Sequence, residues 1–136
     1  MTRNFEANVD KLDDVIAFLD EMVADINPNF RQLKKLELAL EEAFVNVALY
    51  AYPEGNGDVK IDINIDDKDR SVNIVLTDSG LPFDPLSEKD PDVTLPSDKR
   101  KIGGLGIFLV KSVTDEQHYE YRDSKNILTF KKNITD

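Results

Sequence analysis

Glu42 and Asn46 stand four residues apart in LALEEAFVNVALYAYP (Leu38 to Pro53), a stretch that otherwise reads as a buried helix. At i and i+4 their side chains are neighbours on one helix face. A carboxylate and an amide both offer hard oxygen donors of the kind Mg²⁺ takes. Among Leu38, Val45 and Leu49 they must find partners or carry a desolvation penalty. A cation with its phosphates would supply such partners. A solvent-facing polar stripe that includes Glu41 would account for the pair equally well.

Two further stretches carry chemistry. LTDSGLPFD (Leu76 to Asp84) ends a strand on Asp78, and Gly80 lets the chain turn sharply. It reads either as an ordinary Asp-Ser-Gly turn or as a buried carboxylate that accepts from an exocyclic amine such as adenine's. Gly103-Gly104-Leu105-Gly106 heads a helix, where glycine-rich backbone and the positive helix end favour anions. No Gly-Lys-Ser/Thr follows, so this is not a P-loop, and the dinucleotide fingerprint is absent too. Glycines that merely close a loop remain the other reading.

The elements that must position these residues follow from periodicity. Residues 3–7 suit an edge strand. Val9, Leu12, Val15, Ile16, Leu19, Met22, Val23 and Ile26 recur at helical steps, with Asn8 or Asp10 as cap and Asn27-Pro28 as stop. A second helix is predicted from about Phe30 to Tyr52, ended by Pro53 and the glycines at 55 and 57. DVKIDINID and SVNIVLTD alternate in phase around the turn DKDR, as an antiparallel hairpin with one buried face does. Residues 79–102 hold Pro82, Pro85, Pro91 and Pro96 and lose all periodicity; a loop this long is disordered or functional. A helix over about Leu105 to Thr114 and a second hairpin, EQHYEYRD with KNILTFKKN, complete the chain. The expected class is α+β, with helices on one face of a mostly antiparallel mixed sheet.

Bulk properties narrow the function. At 136 residues the chain has the length of one domain, 1–136. Without cysteine, disulfides and thiolate metal sites are excluded, and one histidine, His118, cannot build a multi-histidine site. His118 falls in a strand away from the three motifs and is expected to be structural or exposed. A net charge of −10 disfavours nucleic acid, and Lys99-Arg100-Lys101 offers charge enough for one polyphosphate only. No apolar run suits a membrane span or signal core, so a cytoplasmic protein is expected.

The order of these motifs resembles the ATP-binding domain shared by gyrase, histidine kinases and MutL, and within it the anti-sigma factor serine/threonine kinase family. EEAFVNVALYAYP is similar to that family's E-A-x-x-N helix, DSGLPFDP to its D-x-G-x-P-F-D segment, and GGLGIFLVKSVTDEQHY to its G-x-G helix and following strand. KNILTFKKN resembles the closing strand, so the likeness runs through essentially the whole chain. It implies a two-layer α/β sandwich of the Bergerat type holding ATP and Mg²⁺, with a lid at about 79–102. Asn46 would coordinate magnesium and Glu42 would be the catalytic carboxylate. Asp78 would bind the adenine amine, with Gly80 and Phe83 beside the base. Gly103, Gly104, Leu105 and Gly106 would hold phosphate, with Lys99, Arg100 or Lys101 (Lys101 the nearest) in place of an arginine the family carries nearby. Tyr50 stands where the family often has histidine, and Ile102-Gly103 where it has arginine and a small polar residue.

The resemblance implies a protein serine/threonine kinase that phosphorylates a small anti-sigma factor antagonist-like protein and alternately sequesters a sigma factor or similar regulator. It also implies a homodimer, for which the 3–7 strand offers an edge. Tyr50 and Ile102 motivate an alternative, a non-catalytic nucleotide-gated protein-binding module of the same fold. An acidic interaction domain without ligand is a third reading.

Overall fold

Strict alternation builds the centre of the sheet. In the computed structural model, which describes residues 1–87 and 110–136, β2 (Asp58–Ile65) and β3 (Ser71–Asp78) pair antiparallel, with Ile61 opposite Leu76 and Val59 opposite Asp78. Val59, Ile61, Ile63, Val72, Ile74 and Leu76 all point to one face and are buried. The DKDR turn closes the hairpin: Asp66 N–H donates to Ser71 O at 2.9 Å, and Arg70 N–H donates to Asp66 O at 2.7 Å. Arg70 takes a left-handed φ of 58° to do so.

The outer strands extend this pair. β1 (Thr2–Glu6) lies against β2, and β5 (Lys125–Asn133) against β3. β4 (Glu116–Arg122) joins β5 through Asp123 and Ser124, both at positive φ, as two-residue hairpin turns of type I′ require. The order is β1-β2-β3-β5-β4. The mostly antiparallel sheet expected from the sequence is antiparallel at every described pairing. His118 sits exposed on the outer strand β4, opposite Thr129.

Two helices cover the buried face. Asn8 caps a short 3₁₀ turn, accepting from Asp10 N–H at 2.9 Å, before α1 (Leu12–Val23) begins. α1 buries Val15, Phe18, Leu19 and Val23. After Asn27, left-handed at φ 51°, Asn29 caps α2 (Phe30–Tyr50) by accepting from Gln32 N–H at 3.1 Å. α2 buries Leu36, Ala39, Leu40, Ala43 and Phe44 on the sheet, each large side chain contributing about 1.5–3 kcal/mol. Asn29 N–H also donates to Ile134 O at 2.6 Å, tying the start of α2 to the chain beyond β5. Residues 110–113 are helical and lead into β4; the expected helix start at Leu105 lies outside the described residues. No helix among the described residues is long and apolar enough to cross a membrane.

Asp69 in the β2–β3 turn sets an acid-side dependence. Its carboxylate accepts from the Ser71 hydroxyl, from Ser71 N–H at 3.0 Å, and pairs with Lys131 Nζ at 3.2 Å. The Ser71 bonds, then Lys131, hold its carboxyl down at about 2 from an ordinary 3.8. A depressed native value means the stabilisation is present above the ordinary value and is lost as pH falls from about 4 toward about 2. Urea midpoints should therefore drop across that window in the wild type, and by less in Asp69→Asn; equal drops would contradict the assignment.

Candidate functional site

The helix that carries Glu42 and Asn46 meets the turn after Asp78 at its C-terminal end. α2 hands over at Ala51, whose carbonyl accepts from Leu81 N–H at 2.9 Å. A Cβ added to Gly80 would lie 2.3 Å from Ala51 O and 2.6 Å from Ala51 Cβ. Glycine is thus required here by the close approach of helix and turn. Tyr52 locks the same junction: its hydroxyl donates to Asp58 O at 2.7 Å and accepts from Ser79 N–H at 2.8 Å. Burial, with the Asp78 and Asp58 charges, pushes the phenol up against the opposing Ser79 bond, so it stays protonated and able to donate. Gly57 makes room for the Tyr52 ring, since a Cβ there would fall 2.3 Å from it.

Glu42 and Asn46 lie on α2 nine and five residues before Ala51, about 13 and 7 Å along the axis at 1.5 Å per residue. They ride the flank of the buried stripe, beside Ala39 and Ala43, and both are half-buried. α2 is less enclosed than its composition implies, because Leu49 (56% exposed) and Tyr50 (42%) face outward. Among the described residues neither the Glu42 carboxylate nor the Asn46 amide has a hydrogen-bond partner. Burial and the neighbouring Glu41 charge raise the Glu42 carboxyl above its ordinary value.

Asp78 ends β3 on the buried face at 7% exposure. Its Oδ1 accepts from Gly80 N–H at 2.9 Å and from Asn126 Nδ2 at 3.0 Å. Among the described residues Oδ2 accepts nothing. Asn126 also holds the chain beyond Gly80, donating to Leu81 O at 2.9 Å and accepting from Phe83 N–H at 3.1 Å. The Phe83 ring is 41% exposed, and a 3₁₀ turn follows at Pro85–Ser87. Lys101, Gly103, Gly104, Leu105 and Gly106 lie outside the described residues, as does the lid from residue 88 on.

The residues that sequence reasoning missed are Asn126, Tyr119 and Tyr52. Asn126 carried a usable signal: it shares the inward phase of Leu128 and Phe130, a polar residue at a core position. Tyr52 carried none, because its strut role depends on the turn it meets.

Among the described residues a cation at Asn46 would find no protein cage. Among the described residues no three acidic, histidine or cysteine side chains cluster. That fits magnesium, which is held by one or two protein oxygens and completes its shell with water and phosphate. The nucleotide fits as well, since among the described residues one Asp78 oxygen accepts nothing and the exposed Phe83 follows in the same turn.

A two-helix layer lies on an antiparallel sheet, with an acid and an amide on one helix and an aspartate at a strand end. The chain matches the histidine kinase-like ATPase domain family over residues 5–132 and belongs to it. Over 91 residues it is 30% identical to the serine-protein kinase RsbW of Staphylococcus aureus, a stretch covering 64% of this chain and 57% of that kinase. The chain thus spans little more than half the length of those relatives. Its fold matches a Mycobacterium tuberculosis structure of RsbU and RsbW domains with a TM-score of 0.63 at 14% identity, covering 98% of this chain and 32% of that one. The histidine kinase domain of an Erythrobacter litoralis blue-light activated histidine kinase matches at 0.58 and 12% identity, over 93% of this chain and 60% of that one.

The helix–turn junction has a direct test. Gly80→Ala should destabilise by about 1–3 kcal/mol through the clash with Ala51. An unchanged thermal midpoint would show that the turn relaxes freely away from α2.

Proposed function

We propose that this chain is an ATP-dependent protein serine/threonine kinase of the anti-sigma type, formed by residues 1–136 with a lid at about 79–102. Membership of the ATPase family and the likeness to RsbW kinases support the class. One observation carries the reading furthest: a half-buried acid and amide, without partners among the described residues, share a helix that is clamped to the turn beyond a buried aspartate. Groups left unpaired in a partly dry place are costly unless a ligand completes them.

In this reading Asp78 accepts from the adenine amine, with Gly80 and Phe83 alongside. Lys101 and the backbone of Gly103, Gly104, Leu105 and Gly106 hold the phosphates. Asn46 would hold magnesium, which supplies neutralisation of the charge on the transferred phosphoryl group. Glu42 takes the proton from the attacking serine hydroxyl as the new O–P bond forms and the bond to the leaving ADP oxygen breaks. Such transfer depends on positioning and charge stabilisation more than on covalent help from the protein. The raised Glu42 carboxyl suits a base, because a proton acceptor works best as its pKa approaches the working pH.

The protein substrate would be a small antagonist protein presenting a serine, and a sigma factor or similar regulator would be the alternating partner. Both belong to the cytoplasm. Among the described residues β1 is an outer strand with one unpaired edge, which would serve for pairing in a homodimer. Tyr50, exposed where the family often carries histidine, favours a second reading in which ATP gates partner binding without turnover.

Incubation with Mg-ATP and the antagonist should yield phosphoserine, lost about 10²-fold or more in Glu42→Ala, as removal of a positioned proton acceptor implies. No phosphoserine, with partner binding that survives Glu42→Ala but not Asn46→Ala, would replace the kinase with the gated module. Because the Glu41 charge raises Glu42, Glu41→Gln should move the acidic limb of the pH–rate profile to lower pH. A limb that stays in place would remove Glu42 as the titrating base.

A further inference from the structure

Asn126 opens the inward face of β5, directly opposite Asp78 in the register, and is 6% exposed. Its side chain is fully committed. Nδ2 donates to Asp78 Oδ1 at 3.0 Å, to Leu81 O at 2.9 Å and, at 3.4 Å, to Gly80 O. Oδ1 accepts from Phe83 N–H at 3.1 Å and from the Tyr119 hydroxyl. The partners fix which end is which: a carboxylate and two carbonyls can only accept, and a backbone N–H can only donate. Burial, over the opposing Phe83 bond, raises the Tyr119 phenol, which therefore keeps its proton for Asn126.

The consequence falls on Asp78. With Gly80 N–H and Asn126 both on Oδ1, the carboxylate cannot rotate without breaking two hydrogen bonds. Oδ2 is left as an acceptor at a defined place. An oriented acceptor welcomes a donor and repels another lone pair.

We propose that Asn126 is a positioning residue that sets the base preference of this site. By pinning Oδ1 it presents Oδ2 to a 6-amino purine and turns away a 6-oxo purine, whose oxygen would face the carboxylate. The inference rests on the reading of the Asp78 end of the sheet as the base pocket, and it adds a residue and a selectivity to that reading. Because Asn126 also grips Leu81 and Phe83, the same amide links base recognition to the first residues of the segment after β3.

Calorimetric titration of the full chain with Mg-ATP and with Mg-GTP tests this. The wild type should prefer ATP, and Asn126→Ala should cut the ATP-to-GTP affinity ratio by about tenfold or more, as loss of an oriented buried hydrogen-bond site implies. In an Asp78→Asn background the same alanine should leave the ratio unchanged, because a residue that acts through another shows its coupling only while that other is present. Should Asn126→Ala fail to melt cooperatively, Tyr119→Phe replaces it. That variant removes one of the two donors to Asn126 Oδ1, leaves Phe83 N–H in place, and should lower the ratio in the same direction. A wild-type ratio retained in the folded variant would overturn the positioning role while leaving the nucleotide site standing. So would a loss that is equal with and without Asp78. No nucleotide binding by the wild type would overturn both.

Discussion

A carboxylate buried at the end of a strand is the constraint around which this fold is arranged. Removing a charge from water is expensive unless donors replace the water, and Asp78 sits beside apolar Val59 in the sheet. Two donors meet one of its oxygens, from Gly80 and Asn126. Each has its own requirement: Gly80 must pass within contact of Ala51, and Asn126 must be held by Tyr119, Leu81 and Phe83. Satisfying a single acid therefore recruits the end of α2, the start of β5 and the chain that leaves β3. The polar cluster adjoins a largely apolar core.

The same logic explains how a helix and a strand from distant parts of the chain are placed against each other. Apolar burial decides that α2 lies on the sheet, but burial is non-directional and leaves sliding and rotation open. Direction comes from the hydrogen bonds at its two ends: Asn29 to Ile134 O at the start, Ala51 and Tyr52 to the 79–81 turn at the finish. With both ends fixed, the height of Glu42 and Asn46 above that turn is fixed as well.

Most of the fold was legible because its signals are periodic. The alternation in β2, β3 and β5 and the three–four spacing in α1 placed five strands and two helices close to their observed bounds. The N-cap at Asn8 and the stop at Asn27-Pro28 were readable from local side-chain chemistry. Family membership was readable too, from E-x-x-x-N and D-x-G in order. What escaped was contact across the chain. Gly80 reads as a turn residue, yet its neighbour is Ala51, and the Tyr52 hydroxyl is used by Asp58 and Ser79. α2 reads as apolar nearly all round, but composition cannot say that Leu49 and Tyr50 are exposed.

The order of the sheet also governs how it assembles. Two of its pairings, β2 with β3 and β4 with β5, are hairpins closed by short turns and cost little loop entropy. β1 reaches β2 only after the chain has travelled through both helices, and it contributes one partly buried ring, Phe5, against Phe18. That strand closes the longest loop among the sheet's pairings. The outermost ribbon on the β2 side is therefore the natural point of fraying, while β3 and β5, paired on both sides, keep their backbone protons longest.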